Sequence, residues 1–240
     1  LIDVALAEQL AGMTDERARA EPLRGAEAAD RIALFLSREV ERAIDSLPED
    51  RRADIGVRVL SALIDRLAAD ADLPRADPLR PAEPGRVLHA VRPKRLDGEF
   101  GHIREPLIPL LDTALLTNAP GEPGVGSQIQ AEIDSADRID VVMAFIRMSG
   151  IRPLKNALAR HCDRGRPLRV LTTSYTGSTE PAALDLLQHL GAQIRVSYDT
   201  TSTRLHAKSW LFRRESGFDT AYIGSSNLTH SAQVTGLEWN

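Results

Sequence analysis

Two hydrophobic periods divide this chain. Up to residue 72, apolar residues recur at helical spacing. Between Ala28 and Leu47 these are Ile32, Leu34, Phe35, Leu36, Val40 and Ile44, with charges between them. From Asp50 onward they are Ile55, Val59, Leu60, Leu63, Ile64 and Leu67, with Asp50 as the expected helix cap. Together with a short apolar segment at Leu1 to Ala11, this predicts a small all-α N-terminal region over residues 1–72. Residues 73–98 carry Pro74, Pro78, Pro81, Pro84 and Pro93, which break regular structure and predict a linker or strap. The domain boundary is expected near residue 95.

Over residues 99–240 the pattern alternates between short apolar runs and helical spacing. Strands are expected at Pro106 to Thr117, Arg138 to Ile146, Pro167 to Tyr175, Ala192 to Tyr198, Arg204 to Phe212 and Thr220 to Asn227. Helices are expected at Ser127 to Ala136, Ile151 to His161 and Glu180 to Leu190, the last stopped by Gly191. Alternating strand and helix predicts an α/β domain with a mixed β-sheet sandwiched by helices. The last two strands follow closely and predict an antiparallel hairpin with an extended loop from Arg213 to Asp219.

Composition narrows the function less than the pattern does. Net charge is −4, and the whole acidic surplus lies in the first 100 residues, so any basic binding surface must be local. A single cysteine, Cys162, excludes an internal disulfide and fits a reducing, cytoplasmic setting. No apolar run approaches the length of a membrane span, and no signal peptide is visible. The chain begins at Leu1 rather than Met and stops at Asn240 in an apparent mid-element, which suggests a fragment of a longer protein.

The stretch Arg204 to Phe212 holds the chemistry. Strand alternation points His206 and Lys208 the same way, and Trp210 and Phe212 continue that face into the core. On the next strand Ser225 and Asn227 share a face, so four polar groups converge on a pocket suited to an anion. The basic cluster Arg152, Lys155, Arg160, Arg164, Arg166 and Arg169 reads as a solvated helix end, whereas Arg204, Arg213 and Arg214 flank the motif strand. Gly121 to Ser127 lacks the phosphate-loop pattern, and His102, His161 and Cys162 lack metal-ligand spacing.

His206-x-Lys208, then Gly224-Ser225-Ser226-Asn227, then Glu238 eleven residues on, resembles the phospholipase D superfamily over roughly residues 100–240. The longer text, from Leu205 through Trp210 and Tyr222 to Asn240, is similar to the phospholipase-D-like domain at the N-terminus of some bacterial superfamily 2 helicases. The resemblance implies a metal-independent phosphodiesterase with no cofactor, a DNA nuclease working through a phosphohistidine. It implies that Lys208, Ser225 and Asn227 hold phosphoryl oxygens, while Glu238 orients the His206 ring. Arg204, Ser226, Arg213 and Arg214 are the expected substrate contacts. One departure stands out: Arg213 occupies the position where the family usually places Asp, and Gly224 follows four residues late, which a longer hairpin loop accounts for. Glu215 and Asp219 are the acids nearby.

None of His89, His102, His161, His189 and His230 has Lys two positions on, so a complete two-histidine site needs a second copy of the chain. The resemblance therefore implies a homodimer with the site on its twofold axis, and a helicase domain downstream in the same protein. Two other readings keep the same fold: a non-catalytic DNA-binding or dimerisation module, and a phosphodiesterase for lipids or other esters. The second lacks an apolar surface helix of the membrane-docking kind.

Overall fold

The computed structural model describes residues 1–12, 19–71, 80–92, 98–99, 105–106, 108–117, 119, 124–199, 201, 204–229 and 232. The chain divides into two compact units, Leu1–Arg86 and Val87–Asn240.

The first unit is helical, with α1 (Val4–Ala11), α2 (Gly25–Asp45) and α3 (Glu49–Asp70). Asp3 caps α1 by accepting the Leu6 N–H at 2.8 Å. The expected Asp50 cap is displaced: the cap position of α3 is Pro48, and Asp50 lies in the first turn, where its charge still favours the helix dipole. Helices α2 and α3 meet through Gly56, where an added Cβ would stand 3.4 Å from Ile44 Cδ1. Arg52 ties their junction by donating to the Leu47 and Asp45 carbonyls at 3.0 and 2.8 Å. Surface pairs one turn apart, Glu27–Arg31, Asp54–Arg58 and Arg66–Asp70, add a few tenths of a kcal/mol each, roughly. No residue of these three helices is buried; Ile32, Leu34, Val59, Leu60 and Leu67 stay exposed.

The second unit is built on a five-stranded sheet in the order β3–β2–β1–β4–β5. Its strands are β1 (Arg138–Met143), β2 (Leu168–Thr173), β3 (Gln193–Ser197), β4 (Lys208–Arg213) and β5 (Thr220–Ile223). The first three run parallel, while β4 is antiparallel to β1 and β5 to β4, so the sheet is mixed as expected. Helix α4 (Val125–Ser135) precedes β1. The β1–β2 crossover holds α5 (Met148–Ile151), a 3-10 turn (Arg152–Leu154) and α6 (Lys155–Asp163). The β2–β3 crossover holds a 3-10 turn (Tyr175–Gly177) and α7 (Pro181–His189). Helix α7 stops at Gly191, whose φ of 102° only glycine adopts freely.

Both crossovers step in the same direction along the sheet, so right-handed connections place α6 and α7 on one face. That face is the core. Ile139, Val141 and Met143 of β1, Leu168 and Val170 of β2, and Trp210 and Phe212 of β4 pack there with Ile133, Leu158 and Leu187. On the other face Asp140 gathers Arg169, Arg138 and Arg213, at 2.5, 2.8 and 3.5 Å. Burial would raise the Asp140 pKa, but hydrogen bonds from Arg169 and Arg138 outweigh it and hold the carboxyl at about 2.

The apolar run Pro106 to Thr117 forms no strand among its described residues. It is a strap: the Leu110 N–H donates to the Leu88 carbonyl at 2.8 Å. Leu110 and Leu116 are buried, whereas Leu111 and Leu115 are exposed. Half of the basic cluster is spent on local pairs, Arg160 with Asp134, Arg166 with Asp137 and Arg169 with Asp140. Among the described residues no helix is long and apolar enough to cross a membrane.

Candidate active site at the carboxyl edge of the sheet

Strand direction decides what meets at this edge. The parallel strands β1, β2 and β3 end here, β4 starts here, and β5 returns here. In open α/β sheets this carboxyl edge is where ligands bind. It presents Phe145, Tyr175, Tyr198, His206, Lys208 and the Gly224–Asn227 loop together.

Strand β4 begins at Lys208, so His206 lies in the chain leading into the strand rather than within it. His206 is exposed while Lys208 is 8% exposed, and the two still converge. The Lys208 ammonium donates to the His206 carbonyl at 2.8 Å and lies 2.8 Å from Nδ1 and 3.2 Å from Nε2. The Phe145 ring meets the imidazole edge-on, with centroids 5.7 Å apart. The backbone holds this in place: the Ala144 N–H donates to the Ala207 carbonyl at 3.0 Å, and the Gly224 N–H to the Lys208 carbonyl at 3.2 Å.

Strand β5 stops at Ile223, so Ser225 and Asn227 lie in the loop beyond it, not on a strand face. That loop docks on the end of β1. Asn227 Oδ1 accepts the Phe145 N–H at 3.2 Å, and the Leu228 N–H donates to the Phe145 carbonyl at 3.1 Å. With its oxygen on the backbone, the Asn227 amide keeps its N–H donors for an anion. Ser225 is exposed at the loop surface. Ser226, expected to contact substrate, is 8% exposed and donates to the Ala232 carbonyl at 3.3 Å, so it secures the loop. Glu238 lies outside the described residues. A narrow crevice runs inward from the site, lined by Val125, Ile129, Lys208, Trp210, Tyr222, Ser226 and Asn227. Val125 opens α4, so the positive end of that helix dipole borders Lys208 and Asn227.

The flanking arginines separate. Arg204 is exposed at the site edge, its guanidinium 5.4 Å above the Tyr175 ring. Arg213 closes the far end of β4, opposite Arg138 at the start of β1. Five strand steps place it about 17 Å from Lys208, too far to share a phosphate. Arg214 is 9% exposed and paired with the buried Glu132, so it is not a backbone contact for substrate either. Neither flanking acid stands in register for the missing aspartate. Asp219 closes the hairpin by accepting the Arg214 N–H at 2.8 Å and lies 3.6 Å from Arg213, while Glu215 is exposed.

His161 is buried with one ring nitrogen 3.1 Å from the Pro167 carbonyl, and burial lowers its pKa.

Two anchors of the site were missed in the sequence. Phe145 gives its N–H to Asn227 from 82 residues away, and no local signal marks that pairing. Gly150 is the other. A Cβ there would stand 2.2 Å from the Leu228 C and O atoms and 2.5 Å from the Thr229 N, all backbone. Gly150→Ala must displace the loop that carries Asn227, at a cost of about 1–3 kcal/mol. Thermal unfolding of the variant should start several degrees lower; an unchanged melting temperature would refute the close approach.

Residues 129–240 match the model of the family described as "Cardiolipin synthase, PLD-like domain". A polyphosphate kinase from Porphyromonas gingivalis aligns in structure with a TM-score of 0.38 and 16% identity, covering 52% of this chain and 22% of that one. No curated protein matches the chain. The matched residues include all five strands of the mixed sheet and both His206 and Lys208.

Proposed function

We propose that this protein is a metal-independent phosphodiesterase, specifically a DNA nuclease that acts through a phosphohistidine on His206. The observation that carries the reading is the Lys208 ammonium set 2.8 Å from the His206 imidazole, beside an Asn227 amide anchored by its oxygen. A nucleophile and a fixed cation at the carboxyl edge of a sheet are what displacement at phosphorus requires.

A phosphodiester entering the site competes with the imidazole for the ammonium. Lys208 and Asn227 then hold the non-bridging oxygens, with the exposed Ser225 hydroxyl as a further donor. A His206 ring nitrogen attacks phosphorus, forming a P–N bond as the P–O bond to the leaving alcohol breaks. The leaving oxygen takes a proton from His206 of the partner subunit. Water then attacks the phosphohistidine, giving its proton back to the partner's His206 and restoring both imidazoles. The site is thus shared by two copies of the chain. A helicase motor in the same protein would supply it with opened DNA.

The test is cleavage of DNA in excess EDTA, alongside sedimentation of the protein at micromolar concentration. The expected result is cleavage by a dimer. DNA binding without cleavage would turn the reading to a binding module. Hydrolysis of small or lipid phosphodiesters alone would keep the chemistry and remove the nucleic acid.

A further inference from the structure

We propose that Tyr175, Arg204 and Tyr198 form a stacking platform that takes a base of an unpaired nucleic-acid strand beside the phosphoryl-transfer site. The proposal rests on the nuclease reading and deepens it by naming the form of the substrate.

Aromatic residues are scarce, and there are only three tyrosines. Tyr222 is in the core, paired edge-on with Phe212. The other two both stand at the edge that carries His206. Tyr175 follows β2 and Tyr198 follows β3, and these strands end beside β1. Tyr198 is 78% exposed, so its ring is open to solvent at that edge.

Tyr175 is held rather than loose. Its N–H donates to Thr173 Oγ1 at 3.0 Å, and the Ser174 N–H donates to the Ser197 carbonyl at 3.1 Å. The turn that follows puts Thr176 at φ 63°, a left-handed conformation that a β-branched residue adopts only under constraint. Such strain gathers where a neighbour has to be positioned.

Arg204 lies over the Tyr175 ring, two residues before His206. A guanidinium laid on an aromatic ring offers a flat surface and a positive charge at once. That pair accepts a planar base and its phosphate. It disfavours a cationic headgroup, because the arginine already occupies the ring face such a cation needs. Bases within a duplex are stacked on one another and cannot reach the platform, so the strand must be unpaired.

The experiment measures binding by fluorescence anisotropy in the His206→Ala background, which removes cleavage. Three probes of equal length are compared: a mixed-sequence single strand, a strand of the same charge made of abasic sites, and a duplex. The base-bearing single strand should bind tightest. Tyr175→Ala should weaken it about tenfold and leave the abasic strand unaffected, while Tyr175→Phe should bind as the parent does. Tyr198→Ala, at an exposed position that folding does not depend on, should show a smaller loss of the same kind.

Equal binding of base-bearing and abasic strands by the parent, or no loss in both alanine variants, would overturn the platform. Cleavage by the unaltered protein is read separately. A protein that cuts DNA without base dependence refutes the platform alone. One that binds with base dependence and never cuts supports the platform and refutes the nuclease.

Discussion

His206→Ala should lower the turnover of DNA cleavage by at least about 10³-fold with little change in folding. In the proposed mechanism the imidazole is the group that forms the bond to phosphorus. Lys208 and Asn227 remain to hold the phosphate, so binding should survive and the loss should fall on kcat rather than KM. Stability should hold because His206 is exposed and lies before β4, outside the sheet ladder. Its ring packs T-shaped with the Phe145 ring, with centroids 5.7 Å apart. Circular dichroism and thermal unfolding check the fold, and single-turnover cleavage in EDTA checks the rate. A folded variant that keeps more than a tenth of the activity removes His206 from the covalent role.

Much of this site was legible because residue type and chain spacing persist where secondary structure does not. His206 and Lys208 read as neighbours on one strand face. They do meet, but through the turn of the chain into β4, with one exposed and the other buried. Alternation along β4 was correct from Lys208 onward, because Trp210 and Phe212 must face α4 and the core. Arg213 and Arg214, expected beside the motif, lie away from it for two different reasons. Arg213 keeps the strand alternation, but strand length carries it to the far end of the sheet. Arg214 lies beyond the last ladder residue, where alternation no longer applies, and Glu132 draws it inward. The apolar run at residues 106–117 misled because a strand needs an edge to pair with, and hydrophobicity alone does not say whether one is available. Partnerships across long separations, such as Phe145 with Asn227, have no local signature at all.

Glu132→Leu should destabilise the second unit by about 3–5 kcal/mol, because it strands a guanidinium in the core. Glu132 is 2% exposed and sits on α4. It pairs with Arg214 and accepts the Thr220 hydroxyl at 2.7 Å and the Tyr222 hydroxyl at 3.1 Å. Arg214 also donates to Ser135 Oγ at 2.8 Å, the Phe218 carbonyl at 2.8 Å and Thr220 Oγ1 at 3.1 Å. Burial and the Glu132 charge both push the Tyr222 hydroxyl pKa upward, so that hydroxyl stays a donor. The network clamps the β4–β5 hairpin to α4 at the end opposite Lys208. Arg214→Met should cost a similar amount, since it leaves the carboxylate uncompensated. The double variant Glu132→Leu with Arg214→Met should be more stable than either single one, because no buried charge remains. Denaturant midpoints of the four proteins measure the coupling. Single variants costing under about 1 kcal/mol, or a double variant costing their full sum, would show that the pair is not coupled. Because the clamp lies at the far end of the hairpin from His206, activity in the variants should fall with the folded fraction while kcat per folded molecule holds. A fall in kcat at full folding would instead mean that the clamp also sets the position of Lys208.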